Sequence, residues 1–167
     1  MFAVTFITQV LNGLQLGSIY ALVALGYTMV YGIILLLNFA HGDIIMVGAY
    51  ISWLVMSKLG LNPAIAVVLS IVGCILLGVL IDKVAYAPLR DAPRLSILIT
   101  AIGVSYFLEN GSQLLFGADA KVVPAYTSVS NIQVGDLTLS FSAIVTVVVT
   151  AVATVVLTFL VQKTKLG

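Results

Sequence analysis

The chain has 167 residues, of which 62% are hydrophobic and 8% are charged, and its formal net charge is +1. Because an average soluble domain carries about 25% charged residues, so few charges cannot cover a water-facing surface. The composition therefore excludes a soluble globular protein and indicates a protein integral to the lipid bilayer. Its apolar stretches are continuous rather than alternating, which predicts spanning helices instead of a transmembrane barrel.

The apolar stretches and their breaks predict the helices in chain order. The first stretch is longer than one perpendicular span, and we interpret it as an interfacial lead-in followed by a span over 14–37. A shorter apolar segment over 44–57 ends at a turn around 58–63, where Pro63 suits the first turn of the next helix. Further spans are predicted over 64–81, 95–116 and 141–161. The predicted fold is an all-α polytopic helical bundle of about five spans with a broken helix at 38–43.

The distribution of Lys and Arg predicts the orientation, because cytoplasmic loops carry an excess of positive charge. The segment 82–94 holds three basic residues and the C-terminal end holds two, so both are expected in the cytoplasm. The connection 117–140 is then an external loop, and the N-terminus lies outside. In this loop, alternating apolar residues around Gly135 and Asp136 predict a small hairpin. We expect the whole chain, 1–167, to form a single transmembrane domain.

A polar cluster ends the uncharged N-terminal part of the chain. Asn38, His41, Gly42 and Asp43 stand together, and no Lys, Arg, Asp or Glu precedes Asp43. One interpretation is a helix broken at membrane depth, whose backbone groups and polar side chains line a substrate path. The alternative is an ordinary loop at the inner face, with Asp43 as the N-cap of a helix that begins at Ile44. The residues alone leave both interpretations open.

Small residues recur four positions apart, a spacing that lets membrane helices pack closely. Gly13 and Gly17 belong to one such series, and Ser70, Cys74 and Gly78 belong to another. A third series, on the last predicted span, consists of Thr146, Thr150, Thr154 and Thr158. Threonine hydroxyls at this spacing can bond to the backbone carbonyl one turn back. We interpret the three series as helix-packing surfaces, with a hydrophilic conduit as the alternative for the threonines. Packing surfaces of this kind imply a protein partner.

The sequence shows no pattern typical of an enzyme or a metal site. It holds one Cys and one His. No nucleophile–base arrangement, phosphate-binding glycine loop or metal-ligand spacing is present. We therefore expect no catalytic residues, no bound metal or cofactor and no nucleic-acid partner.

Three stretches of the chain resemble one protein family. They are GSIYALVALGYTMVYG over 17–32 running into NFAHGD over 38–43, YAPLR over 86–90, and LSILITAIG over 95–103. This pattern resembles the membrane permeases of ATP-driven importers for branched-chain amino acids, specifically the smaller of the two permease types. The similarity extends over essentially the whole chain.

The resemblance implies a bacterial or archaeal inner-membrane importer of leucine, isoleucine or valine. The implied partners are a second permease, two cytoplasmic ATPases that bind ATP in place of this chain, and an external substrate-binding protein. The resemblance also favours a helix break beside the pathway at 38–43. Family members continue past residue 167 into a cytoplasmic coupling loop that docks the ATPase, so we expect the chain to be truncated or a fragment.

Other functions stay open at this stage. Close relatives of the family carry urea or short amides, and the quoted motifs do not separate these substrates. A self-contained channel for a small neutral solute and a membrane scaffold without transport activity are further alternatives. Solute flux without partner proteins would favour the channel, and no flux with all partners present would favour the scaffold.

Overall fold

The computed structural model describes residues 2–34, 38–124, 132–134, 137–139 and 141–163. Within them the chain forms the α-helices α1 (Phe2–Ile34), α2 (His41–Trp53), α3 (Pro63–Ile81), α4 (Arg94–Phe116) and α5 (Phe141–Lys163). Strands β1 (Ile132–Val134) and β2 (Leu137–Leu139) pair antiparallel, with Ile132 opposite Leu139. The predicted helical membrane fold and the two strands of the hairpin are confirmed, while the turn residues 135 and 136 lie outside the described residues.

Three of the described helices are long and apolar enough to cross a membrane. The candidate spans are Thr5–Gly32, Pro63–Leu89 and Phe141–Phe159. Helix α4 covers the predicted span 95–116 but is not among the three, because polar residues such as Glu109 and Asn110 lower its hydropathy. Apolar side chains on the spans are widely exposed, as lipid-facing or partner-facing surfaces require.

Helix α1 runs without interruption from Phe2 to Ile34. The lead-in predicted before residue 14 is therefore helical and continuous with the span that follows it. Glycine is frequent in transmembrane helices, and the glycines of α1 do not break its helical structure.

By its contacts the chain divides into two compact units, Met1–Leu35 with Ser128–Gly167, and Leu36–Thr127. In the first unit α1 packs against α5. Thr150 of α5 is only 7% exposed, and its hydroxyl lies 2.8 Å from the Thr146 carbonyl and 3.3 Å from the Ser18 carbonyl of α1. Thr146 and Thr154 also donate to the carbonyl one turn back, which confirms the predicted backbone bonding for Thr146, Thr150 and Thr154. For Thr158 it stays a prediction.

In the second unit a tight turn connects α2 to α3. Helix α2 continues as a π-helical turn over Leu54–Lys58, and Gly60 then adopts a φ of +62°. Asn62 caps α3 by accepting the Ala64 N–H at 2.9 Å, and Pro63 occupies the start of the helix as predicted. The two helices therefore lie side by side in opposite directions.

Hydrogen bonds from α3 fix the register of α2. Ser70 Oγ donates to the Gly48 carbonyl at 3.0 Å and lies 2.7 Å from Ser52 Oγ. Cys74 Sγ donates to the Ile44 carbonyl at 3.4 Å. Because hydrocarbon offers no hydrogen-bond partner, polar side chains of membrane helices gain from bonding across a helix interface.

Two glycines allow this close approach. A Cβ at Gly48 would lie 2.8 Å from Cys74 Sγ, and a Cβ at Gly73 would overlap the end of the Ile51 side chain. A Cβ at Gly48 would therefore displace the hydrogen-bonded Cys74 thiol, whereas a Cβ at Gly73 would displace only the end of the Ile51 side chain.

Replacing Gly48 by Val should destabilise the packing of α2 on α3, because the added carbons overlap Cys74. Inserting such groups into a packed site costs about 1–3 kcal/mol. The measurement is the denaturation midpoint of the protein in detergent. Gly78→Val is the matched control, since a Cβ at Gly78 meets no described heavy atom within 4 Å. An equal loss of stability in both variants would contradict the close contact at Gly48.

Candidate functional site

The polar cluster lies where irregular backbone enters α2. Asn38 is not helical, Phe39 and Ala40 form a turn, and α2 begins at His41. Asn38 Oδ1 accepts the Ala40 N–H at 3.2 Å, and the Asn38 carbonyl accepts the His41 N–H at 3.1 Å. A side-chain bond to the backbone two residues on is an Asx turn. Asn38 therefore organises the start of α2.

The interpretation of Asp43 as the N-cap of a helix beginning at Ile44 is wrong. Ala40 occupies the N-cap position of α2, without a side-chain cap hydrogen bond, and Asp43 lies within the first turn. The helix begins earlier because the Asx turn at Asn38 has already directed the backbone into it. In the first turn, the Asp43 carboxylate still interacts favourably with the helix dipole.

Asp43 is buried, whereas its neighbours in the cluster are accessible. Its exposed fraction is 8%, and its Oδ2 atom has no hydrogen-bond partner among the described residues. Gly42 is exposed and His41 is partly exposed. A buried charge is costly unless it is paired, and ionisable groups inside membrane proteins typically mark substrate or ion pathways. Asp43 is therefore the member of the cluster with an unused hydrogen-bond acceptor.

Tyr86 belongs to the site, and sequence reasoning missed it. Its hydroxyl donates to Asn38 Oδ1 at 2.7 Å, across 48 positions of the chain. It ends a π-helical turn, Asp82–Tyr86, which continues α3; such turns are frequent at functional sites. Tyr86 is the first residue of the YAPLR stretch, so the family motif was a signal for its importance but not for its contact.

The charges around the cluster are few. His41 is partly exposed and lies outside the three candidate spans. Arg90 and Asp82 form a 3.2 Å ion pair, but both side chains are well exposed, so the pair contributes little to stability. In the described part of the chain, no group of three His, Cys, Asp or Glu side chains is placed to hold a metal ion.

The interface of α2 with α3 sets the position of the cluster along a candidate span. Cys74, which bonds to Ile44, lies close to the middle of the span Pro63–Leu89. Tyr86, which bonds to Asn38, lies near its C-terminal end. The polar cluster is therefore located alongside the C-terminal half of this apolar span.

The other residues singled out from the sequence are those of the small-residue series. Ser70 and Cys74 lie at the interface of α2 and α3. A Cβ added at Gly78, or at Gly13 and Gly17 of α1, would meet no described heavy atom within 4 Å. A packing role for these three glycines stays a prediction.

Nearly the whole chain is similar to known proteins. Residues 9–167 match the family described as "Branched-chain amino acid transport system / permease component". The chain is 38% identical over 175 residues to the high-affinity branched-chain amino acid transport system permease protein BraD of Pseudomonas aeruginosa, covering 97% of this chain and 57% of BraD. It is 39% identical over 176 residues to the corresponding permease LivH of Salmonella typhimurium, covering 97% and 56%. It is 44% identical over 128 residues to LivH of Escherichia coli, covering 72% and 42%.

The chain thus spans slightly more than half the length of BraD and of the Salmonella LivH. No solved structure matches it.

Tyr86→Phe should loosen the Asx turn, because it removes the hydroxyl that holds Asn38 Oδ1. A net loss of about 1 kcal/mol is typical for one hydrogen bond. We expect faster hydrogen exchange at the Ala40 amide in lipid nanodiscs, measured by mass spectrometry. Tyr106→Phe on α4 is the matched control, since Tyr106 is 62% exposed. Unchanged exchange in Tyr86→Phe would show that the hydroxyl does not hold the turn.

Proposed function

This chain belongs to the family of permease components of branched-chain amino acid transport systems, and we propose that it is the membrane-spanning permease subunit of an ATP-driven importer of leucine, isoleucine and valine. It forms the translocation pathway together with a second permease. Two cytoplasmic ATPases bind and hydrolyse ATP, and an external binding protein delivers the substrate. The chain itself carries no catalytic step and binds no cofactor.

The observation that carries the proposal is the buried carboxylate of Asp43 beside the irregular backbone of residues 38–40. An amino acid that leaves water must have its ammonium and carboxylate groups bonded by the protein, because unpaired charges in an apolar environment are costly. Asp43 Oδ2 is an unused acceptor among the described residues and is shielded from solvent, so it meets the ammonium group only when the packing around the first turn of α2 opens to the substrate. Amides in the first turn of a helix have no intrahelical partner and suit the carboxylate.

Gly42 and Asn38 have distinct roles in this proposal. Gly42 lies in the first turn of α2 and is exposed, so its lack of a side chain gives a substrate access to the backbone amides. Asn38 Oδ1 accepts both the Ala40 N–H and the Tyr86 hydroxyl, which leaves the amide nitrogen of Asn38 as a donor. His41 adds a partly exposed polar side chain to the same cluster.

The position of the cluster supports a path within the membrane. The hydrogen bond from Cys74 places Ile44 near the middle of an apolar span, and about 30 Å of hydrocarbon surrounds such a span. We place the chain in the inner membrane, with its N-terminus outside and segment 82–94 at the cytoplasmic boundary of the bilayer, on the strength of the basic residues in that segment. Because Tyr86 of this segment bonds to Asn38, Asn38 then lies at that boundary, and Asp43, next to Ile44, lies deeper in the bilayer. The break then opens toward the cytoplasmic half of the bilayer.

The buried carboxylate also favours an amino acid over urea or a short amide. A neutral solute brings no ammonium group to Asp43, so its transport would leave the buried charge unpaired. Family membership supports a partnered permease rather than a self-contained channel.

Asp43→Asn in the full-length protein should lower leucine uptake about tenfold or more, because hydrogen bonds to charged groups contribute about 1.5–3 kcal/mol. Asn38→Leu should impair uptake comparably, since it removes the donor and the Asx turn. The measurement is uptake of radiolabelled leucine into vesicles that contain all partners, normalised to the amount of permease in the membrane.

Asp91→Asn is the matched control, because Asp91 is exposed and lies outside the cluster. It should transport at the unmodified rate. Normal uptake in both Asp43→Asn and Asn38→Leu, at unchanged protein level, would remove the cluster from the pathway and leave only the family assignment.

A further inference from the structure

A cavity of about 280 Å³ lies in the second unit, between the C-terminal part of α2 and the loop that follows α4. Helix α2 contributes apolar and aromatic side chains to its wall: Met46, Tyr50 and Trp53. The cavity lies toward the end of α2 opposite to the polar cluster. Its volume is just below the roughly 300–1,000 Å³ of typical small-molecule sites, so it suits a small ligand.

We call this cavity, lined by α2 and the loop after α4, the outer cavity. Neighbouring side chains hold its aromatic wall in place. The Phe116 ring stacks on Tyr50 with 4.5 Å between ring centroids, and meets Trp53 edge-on at 6.3 Å. The ammonium groups of Lys58 and Lys121 lie 5.8 and 5.6 Å from the centre of the Trp53 ring. Such ring and cation contacts each add stabilisation beyond apolar burial. The wall is therefore preformed.

The loop after α4 adds one charge of each sign. Asp119 and Lys121 both line the outer cavity, and within the described residues neither forms an ion pair. A cavity with an apolar wall, one cation and one anion is complementary to a zwitterion with an apolar side chain. A neutral solute such as urea would use neither charge.

We propose that the outer cavity is a receiving site for a branched-chain amino acid. Lys121 binds the carboxylate, Asp119 binds the ammonium group, and the side chain packs against Tyr50 and Trp53. This inference rests on the proposed function and deepens it, because it names the first contact of the substrate with the permease. In the proposed orientation α2 and α4 both end at the external side, where the binding protein delivers its substrate.

The test is protection of a cysteine in the outer cavity by substrate. In cells with the full-length protein and its partners, Ala118→Cys is placed in a Cys74→Ser background and labelled from outside with an impermeant maleimide. Ala118 lines the outer cavity, so L-leucine should slow labelling severalfold. Val122→Cys is the matched control: Val122 belongs to the same loop and is 83% exposed, but does not line the cavity. Its labelling rate should not respond to leucine.

A second pair of variants tests whether the ammonium group of Lys121 binds the substrate carboxylate. Lys121→Met should raise the leucine concentration needed for protection about fivefold, the upper end of what an exposed ion pair contributes. Lys58→Met should raise that concentration much less than Lys121→Met does, because Lys58 lies over Trp53 but does not line the outer cavity. Leucinamide, which lacks the carboxylate, should protect less well than leucine, and urea should not protect.

The possible outcomes distinguish a failure of the receiving site from a failure of the proposed function. Normal leucine uptake without protection of Ala118→Cys, or equal protection in Lys121→Met, would overturn the receiving site and leave the proposed function intact. Protection by leucine without leucine uptake would support the site and contradict the proposed function. Protection by urea but not by leucine would contradict both, and failure to label either cysteine from outside would overturn the external placement of the site.

Discussion

The second unit depends on the hydrogen bonds that Ser70 and Cys74 donate to the backbone of α2. Lipid offers no alternative partner to a hydroxyl or thiol, so these side chains are satisfied best at a neighbouring helix. The contact is possible because Gly48 has no Cβ in the way of Cys74. Once this register is fixed, the two ends of α2 are fixed as well: the polar cluster lies at its start and the aromatic cavity at its end.

At the start of α2, a turn held by hydrogen bonds lies next to a buried carboxylate oxygen, Asp43 Oδ2, that has no hydrogen-bond partner among the described residues. The Tyr86 hydroxyl restrains Asn38, and the Asx turn sets the direction of the helix. Asp43 is buried in the first turn, where the helix dipole offsets part of the cost of its charge, but Oδ2 is left without a described partner. A site that must exchange the hydration of an amino acid for protein groups needs this combination of fixed geometry and unused bonding capacity. The Asx turn held by Tyr86, together with the buried Asp43 carboxylate, therefore accounts for both the structure of the cluster and its proposed role.

Local patterns predicted most of the helices, whereas contacts distant in sequence were not predictable. The span expected over 95–116 agrees with α4 to within one residue, since α4 begins at Arg94. The agreement is close because the length of an apolar stretch can be read directly from the sequence. The start of α2 was misplaced, since it depends on how the Asn38 side chain is held, and its partner Tyr86 is 48 positions away. The outer cavity was missed for the same reason. It depends on stacking of Phe116 on Tyr50, and the local sequence pattern does not predict that α2 and α4 meet at these residues. Composition indicated a membrane protein, but only packing places polar groups along a span.

The central claim is that the polar cluster lies at membrane depth, and depth-dependent fluorescence quenching tests it most directly. A bimane label at Gly42→Cys, in a Cys74→Ser background that keeps a hydroxyl at the helix interface, is compared with one at Arg90→Cys. Lipids carry the quencher either at the headgroup or midway along the acyl chain. We predict that the mid-chain quencher acts more strongly than the headgroup quencher on the label at position 42, and that the order is reversed at position 90. Stronger headgroup quenching at both positions would place the cluster at the membrane surface and contradict the account.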